Sequence, residues 1–310
     1  MSDSRLPLDG RAIVTMVALC VVWSLQQISL KAIEVDVAPA LMIGLRSGIA
    51  ALCVAALMRA RGQRVTLASG RWRAGAVVGT LFAFEYLLVA EALRLSYASH
   101  VVVFLYTAPI FAAVGLHARL PAERLQALQW TGIAVAFGGI VVAFLGRAQP
   151  TTAAAPNLLL GDALALAAGA TWGATTVTIR CSALSSAPPA ETLLYQLLGA
   201  FVLLLPAAWL SGQWRFTPTT LAWAHLAFQA LIVSFASFLL WFWLLRHYLA
   251  SRLSVFSFLT PIFGVVFGIW LLGEPAQPTF LAGSALVLGG IVLVSAHGRL
   301  RPPGAARLRT

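Results

Sequence analysis

The sequence predicts an all-α polytopic membrane protein of ten transmembrane helices, arranged as two inverted five-helix repeats. Three observations carry this. First, 60% of the 310 residues are hydrophobic and 10% are charged, with a mean hydropathy of +0.88; a soluble domain carries about 25% charged residues. Second, apolar runs of about twenty residues follow one another along the chain, each long enough to cross a hydrocarbon core about 30 Å thick. A membrane barrel would read as alternating segments of about ten residues, and a lipid-embedded backbone must satisfy itself. Third, the chain writes one stretch twice: FLYTAPIF at 104–111 and FSFLTPIF at 256–263.

The first helix is expected at 11–34. Its apolar run is too long for a signal-peptide core and holds Gln26, Gln27 and Lys31, so it belongs to the mature protein. The second, at 39–60, contains Arg46 and the pair Gly44/Gly48. The third, at 74–94, contains Gly75/Gly79, Glu85 and Tyr86, and the fourth, at 97–119, contains Pro109. The fifth, at 125–146, is followed by RAQPTTAAAPN (147–157), rich in Pro, Ala and Thr, which reads as a linker between halves 1–150 and 151–310. The sixth, at 158–181, echoes the first: Trp23 precedes Lys31 by eight residues, and Trp172 precedes Arg180 by eight. It also carries Gly169/Gly173. The seventh, eighth, ninth and tenth are expected at 190–210, 219–247, 252–273 and 277–297, with Pro261 and Gly264/Gly268 in the ninth. The four glycine pairs read as close helix packing.

Ten spans put both termini on one side. Sixteen Lys and Arg residues fall on that side and four on the other (Lys31, Arg94, Arg147 and Arg215), with Arg46 inside a helix. The positive-inside rule then places both termini in the cytoplasm. One lysine against twenty arginines points to a GC-rich bacterial genome, hence to the bacterial inner membrane. The net charge of +11 does not indicate nucleic acid, because the arginines lie between apolar runs rather than in one patch. Cys20, Cys53 and Cys181 form no CxxC pair, so neither a metal site nor a disulfide framework is expected.

Tyr97–Phe111 aligns with Leu249–Phe263 without a gap, with seven of fifteen positions identical. GGIV at 138–141 recurs at 289–292. Five spans per half is an odd number, so the second half enters the membrane from the opposite side. Inverted repeats of this kind recur in secondary transporters, whose sites lie near the midplane where the repeats meet. Pro109 and Pro261 sit at equivalent mid-helix positions. Each removes the hydrogen bond to the carbonyl four residues earlier, at Leu105 and Ser257. Both are expected to kink their helices, free those carbonyls toward a cavity and serve in gating.

These features together resemble the drug/metabolite transporter superfamily, EamA type: ten spans, a five-plus-five repeat, AS…PIF in each fourth helix, and Gly273-Glu274 followed by GGIV. The first half departs from the pattern, with LPAE at 120–123 against LLGE at 271–274. Within the family the aromatic content is most like the YddG-type aromatic amino acid exporters. The resemblance implies a basket-shaped bundle with a central cavity and export from the cytoplasm.

Polar and large aromatic groups at mid-membrane depth are the candidates for substrate binding, since they cost several kcal/mol if left unsatisfied in hydrocarbon. They are Trp23, Gln26 and Gln27 in the first helix, and Glu85 and Tyr86 in the third. Tyr106, Trp172 and Tyr195 follow in the fourth, sixth and seventh, with Ser237 and Trp241 in the eighth and Ser257 and Phe258 in the ninth. Hydroxyls at such sites more often bond back to their own helix, and most membrane tryptophans pack or form interfacial belts. Trp72, Trp130, Trp209, Trp214 and Trp223 read as belt residues. Arg46 is the expected neutralising partner of Glu85 or Glu91. The alternative is that Glu85 exchanges a proton during transport. A zwitterion would meet aromatic faces, amides and hydroxyls without needing a strong fixed charge.

An ATP-driven pump lacks its GxxxxGK[ST] loop here, and no cofactor is expected. An intramembrane enzyme would need a catalytic set at depth. The chain has no HExxH or GxSxG, and His100 has no partner evident from spacing. The expected activity is a carrier for small amphipathic metabolites, amino acids first and drugs as the alternative, working in lipid as a monomer by uniport or proton exchange. Glu85→Gln is expected to uncouple transport from a pH gradient; unchanged pH dependence in that variant would contradict proton exchange at Glu85.

Overall fold

The computed structural model describes residues 9–63, 71–121, 124–145, 155–248 and 256–296. The expected start of the ninth helix at 252–255, most of the linker with the boundary at 150, and Glu123 of LPAE lie outside the described residues.

The helices α1 (Gly10–Ala32), α2 (Pro39–Ala60) and α3 (Arg71–Leu95) are unbroken spans. Asp9 caps α1, its carboxylate accepting from the Ala12 amide at 2.8 Å and so supplying a partner for one of the orphan amides of the first turn. The fourth span is two helices, α4 (Ala98–Leu105) and α5 (Ala108–Arg119). Next come α6 (Ala127–Leu145), α7 (Leu158–Arg180) and α8 (Pro189–Leu210). The eighth span starts as α9 (Thr220–Ala227), widens into a π-helix at Phe228–Ser237 and tightens again into α10 (Phe238–His247). The last two spans are α11 (Leu259–Leu272) and α12 (Pro278–Ala296). Among the described residues, eight helices are long and apolar enough to cross a bilayer, and two more are shorter apolar helices. Together they make the ten-helix, two-repeat architecture.

The inverted symmetry is written into the contact of α6 with α12. A Cβ on Gly132 would meet the Gly290 carbonyl, and one on Gly139 would meet the Gly283 carbonyl. Gly132 and Gly283 are 151 positions apart, as are Gly139 and Gly290. A two-fold operation that exchanges the halves therefore turns one contact into the other. The four GxxxG pairs also face neighbouring helices. Gly44 and Gly48 meet Leu205 and Phe201, Gly75 and Gly79 meet Tyr195, Gly169 and Gly173 meet the chain around Phe104–Phe111, and Gly264 and Gly268 meet Val102 and Ser99.

The fourth span corrects the expectation of one kinked helix at 97–119. The chain turns at Tyr106–Thr107, and Pro109 opens the next helix, where a missing amide costs little. The carbonyls of Phe104 and Leu105 are directed at α7 and not toward a cavity: a Cβ on Gly169 would stand 2.8 and 3.0 Å from them. The Thr107 hydroxyl also donates to the Phe104 carbonyl at 2.6 Å. In the ninth span the turn falls at Ser257–Phe258. The Ser257 carbonyl accepts from the Thr260 amide at 3.1 Å, so Pro261 does not leave it free.

The two halves of the fourth span differ in burial. All eight residues of α4 are buried, whereas α5 buries only Ala108, Ile110 and Ala112. The N-terminus of α4 is held by the other repeat. Gly273 ends α11 with φ +66°, a left-handed conformation suited to glycine. The carboxylate of Glu274 then accepts from the amides of Ala98 and Ser99 at 2.6 and 3.0 Å, where an anion also complements the helix dipole.

Gly139→Val places its side chain against the Gly283 carbonyl and the Val287 amide, each already 2.6 Å from an added Cβ. The expected loss is about 1–3 kcal/mol, read as a lower melting temperature in detergent. Gly138→Val, which adds a Cβ where nothing lies within 4 Å, is the control expected to melt close to the parent.

Candidate functional site

A cavity of about 340 Å³ lies where the spans from both repeats converge. From the first repeat, α1 contributes Trp23, Gln26 and Gln27, and α3 contributes Phe82, Glu85 and Tyr86. The break in the fourth span contributes Leu105, Tyr106 and Pro109. From the second repeat come Trp172, Gln196, Phe238 and Trp241, with Ser257 and Phe258 from the turn before α11. Both broken spans thus present their turns to the same space.

The rings are fixed by one another and by hydrogen bonds. Trp23 and Trp241 meet edge-on with centroids 5.8 Å apart, and Tyr106 and Trp172 do so at 5.3 Å. The Trp23 indole N–H donates to the Ser237 hydroxyl at 3.0 Å, and that hydroxyl donates to the Val233 carbonyl. Behind the wall runs a closed polar circuit. The Gln26 amide donates to the Tyr86 hydroxyl at 3.1 Å. The Arg46 guanidinium lies 4.7 Å from the centre of the Tyr86 ring and donates to the Gln229 side-chain oxygen. Gln229 closes the loop by donating to the Gln26 carbonyl at 2.8 Å. Gln229 belongs to the π-helix, a geometry that recurs at functional sites.

Ten of the twelve sequence candidates, Trp23, Gln26, Gln27, Glu85, Tyr86, Tyr106, Trp172, Trp241, Ser257 and Phe258, line the cavity, with Pro109. Ser237 stands behind Trp23 and positions it. Tyr195 faces away: its ring fills the space over Gly75, and its neighbour Gln196 reaches the cavity instead. Pro261 is buried in the third position of α11, away from the lining. Phe82 and Phe238 were not singled out in the sequence, and Leu105 only for its carbonyl, since an apolar residue in an apolar run carries no signal of its own. Gln229 could have been found, as a lone amide in the eighth apolar run. The hydroxyls of Thr175 and Thr176 bond back to the carbonyls of Thr171 and Trp172, as side chains of that type usually do.

The expected ion pair between Arg46 and a carboxylate is absent among the described residues. Arg46 is committed to Gln229 and Tyr86, and Glu91 pairs with Arg94 at 2.8 Å and accepts from Gln213. Glu85 is 4% exposed, and its Oε2 has no hydrogen-bond partner. The Gln27 side-chain oxygen is likewise buried and unpartnered.

His100 does have an acidic partner, which spacing could not reveal. Its Nδ1 lies 2.9 Å from Asp162 Oδ2, and its ring stacks on Phe280 at 3.6 Å. The Ser96 hydroxyl donates to the other oxygen of Asp162. In a hydrolytic triad the histidine lies between serine and acid. Here the acid lies between the other two, so the arrangement ties α4 to α7 and does not activate a nucleophile.

An inverted ten-helix bundle closing on an aromatic, polar-studded cavity defines a membrane carrier. The EamA-like transporter family matches this chain twice, over residues 10–145 and 159–296. The chain belongs to that family, within the drug/metabolite transporter superfamily. Among its relatives, an uncharacterized transporter of Bacillus subtilis (strain 168), YoaV, is 21% identical over 91% of this chain and 96% of that protein. A probable amino-acid metabolite efflux pump of Salmonella typhimurium (strain LT2) is 29% identical over 60% of this chain and 64% of that protein. A crystal structure matches with a TM-score of 0.63 at 21% identity, covering 94% of this chain and 99% of the other, a likeness of fold.

Gln229→Leu strips Arg46 of its acceptor while leaving the guanidinium buried. The expected cost is about 3 kcal/mol, seen as a lower melting temperature. Arg46→Met combined with Gln229→Leu is expected to recover most of that loss.

Proposed function

We propose that this protein exports small amphipathic metabolites with an aromatic body, aromatic amino acids and their metabolites first among them, by alternating access through the central cavity. The observation that carries the reading is the convergence of both broken spans, Tyr106–Pro109 and Ser257–Phe258, on one aromatic chamber. A carrier must show one site to two sides in turn, and inverted halves supply two conformations of similar energy. The asymmetry of the fold favours the same reading. Helices α3 and α7 pack along each other extensively, whereas the two-fold-related pair, α1 and the eighth span, touches far less. Exchanging these two arrangements would exchange the open side.

In this proposal the binding residues are those lining the cavity, with Trp23, Trp172 and Trp241 as walls and Gln26, Gln27, Glu85 and Ser257 as polar contacts. Pro109 keeps α4 and α5 apart as separate levers, and Pro261, in the first turn of α11, is the second gating position. The halves 1–150 and 151–310 move against each other. Both termini face the cytoplasm of a bacterial cell, in its inner membrane, and the protein acts as a monomer with Glu85 as the site of any proton exchange. The relative named as a probable amino-acid metabolite efflux pump supports the substrate class. The YddG-type aromatic exporters are the subtype this reading favours.

Counterflow in proteoliposomes tests the proposal. Vesicles loaded with unlabelled phenylalanine or tryptophan, or with aromatic metabolites of these amino acids, are expected to accelerate uptake of the labelled compound, and an imposed pH gradient separates uniport from proton exchange. Folded protein that exchanges none of these compounds but exchanges lipophilic drugs would move the substrate class to drugs.

A further inference from the structure

The cavity wall has one carboxyl group among the described residues. Among the described residues that line it there is no Lys, Arg or His, and the single acid is Glu85. That carboxylate is buried, makes no ion pair among the described residues, and leaves Oε2 without a donor. Arg46 does not line the cavity: its N–H is directed at Gln229 and its guanidinium lies over Tyr86. The Gln27 side-chain oxygen is a second buried acceptor without a partner. Two donors of the wall are already used inside the protein, the Trp23 indole by Ser237 and the Gln26 amide by Tyr86. The rest of the wall is rich in aromatic rings, whose faces attract cations.

Arg46 lies near enough to attract Glu85 but makes no ion pair with it, and a buried carboxylate without a counter-charge in contact is costly unless something cationic or a proton joins it. We infer that the solute carried through this cavity bears a protonated amine without a compensating carboxylate, the chemical class of aromatic monoamines. Its ammonium pairs with Glu85 and donates to the Gln27 oxygen, and its ring lies among Trp23, Trp172 and Trp241. An amino acid fits less well. Its carboxylate is one carbon from its ammonium, so repulsion from Glu85 cancels much of the attraction, and no cationic side chain in the wall offsets it. This inference rests on the cavity being the transport site and selects within the substrate class proposed above.

The experiment is counterflow of labelled tryptamine into proteoliposomes of the full chain. Unlabelled tryptamine, tryptophan and indole-3-propionate, which share one ring system and differ in charge, serve as competitors. Tryptamine is expected to compete at least ten-fold more strongly than either of the others. Glu85→Gln is expected to abolish that preference and Glu85→Asp to keep most of it, with melting temperature and monodispersity confirming that both variants fold. Tryptophan exchanging as well as tryptamine would overturn this inference and leave the carrier reading standing. Absence of exchange for all three indoles, with folded wild-type protein, would overturn both. The wild-type comparison needs no variant, so a misfolded Glu85 substitution does not remove the test.

Discussion

Hydrocarbon offers the backbone no hydrogen-bond partner, and the rest of this structure follows from that constraint. A span is free to break only where other protein receives the exposed groups. The fourth span breaks at Tyr106–Thr107 because Gly169 lets the carbonyls of Phe104 and Leu105 lie close against α7, and because the Thr107 hydroxyl turns inward. The ninth turns at Ser257–Phe258 with its carbonyl satisfied by Thr260. The start of α4 is satisfied from outside its own repeat, by Glu274. The breaks create the chamber, since an unbroken pair of helices would leave no turn to line it.

Polar groups follow the same logic at a second level. Arg46, Gln229, Gln26 and Tyr86 form a circuit of contacts behind the wall, which holds a buried guanidinium in place. The circuit holds Tyr86 and Gln26 in fixed orientations, and Ser237 does the same for Trp23. Of the buried groups left without partners among the described residues, Glu85 Oε2 and the Gln27 side-chain oxygen belong to residues that line the cavity. Rigid walls with a few unsatisfied groups fit a site built to receive something polar at one end and apolar elsewhere.

The fold was legible because its signals are long and repeated: twenty-residue apolar runs, an odd number per half, and a stretch written twice. The site was legible wherever a polar or large aromatic residue stands out in an apolar run. Register was harder. Tyr195 and Gln196 are neighbours on α8, and sequence does not say which of two adjacent residues points inward; the space over Gly75 decides it. Pairings were hardest. His100 with Asp162 and Arg46 with Gln229 join residues far apart in the chain, and only packing brings them together. The prolines marked the breaks, yet the turns fall just before them, because proline is comfortable at a helix start and cannot bond to the carbonyl four residues earlier.

The seam of Gly132, Gly139, Gly283 and Gly290 bears on how the two halves can diverge in descent. Each of these glycines meets the backbone of the other half. At most packed positions, a larger residue on one side can be accommodated by a smaller one opposite. Here the nearest opposing atom is in each case a glycine carbonyl, which cannot be made smaller, and the side chains beside it approach through their Cβ atoms. The halves have drifted apart elsewhere, as LPAE against LLGE records. Along this line they are held as a unit, and neither half can change without the other giving way.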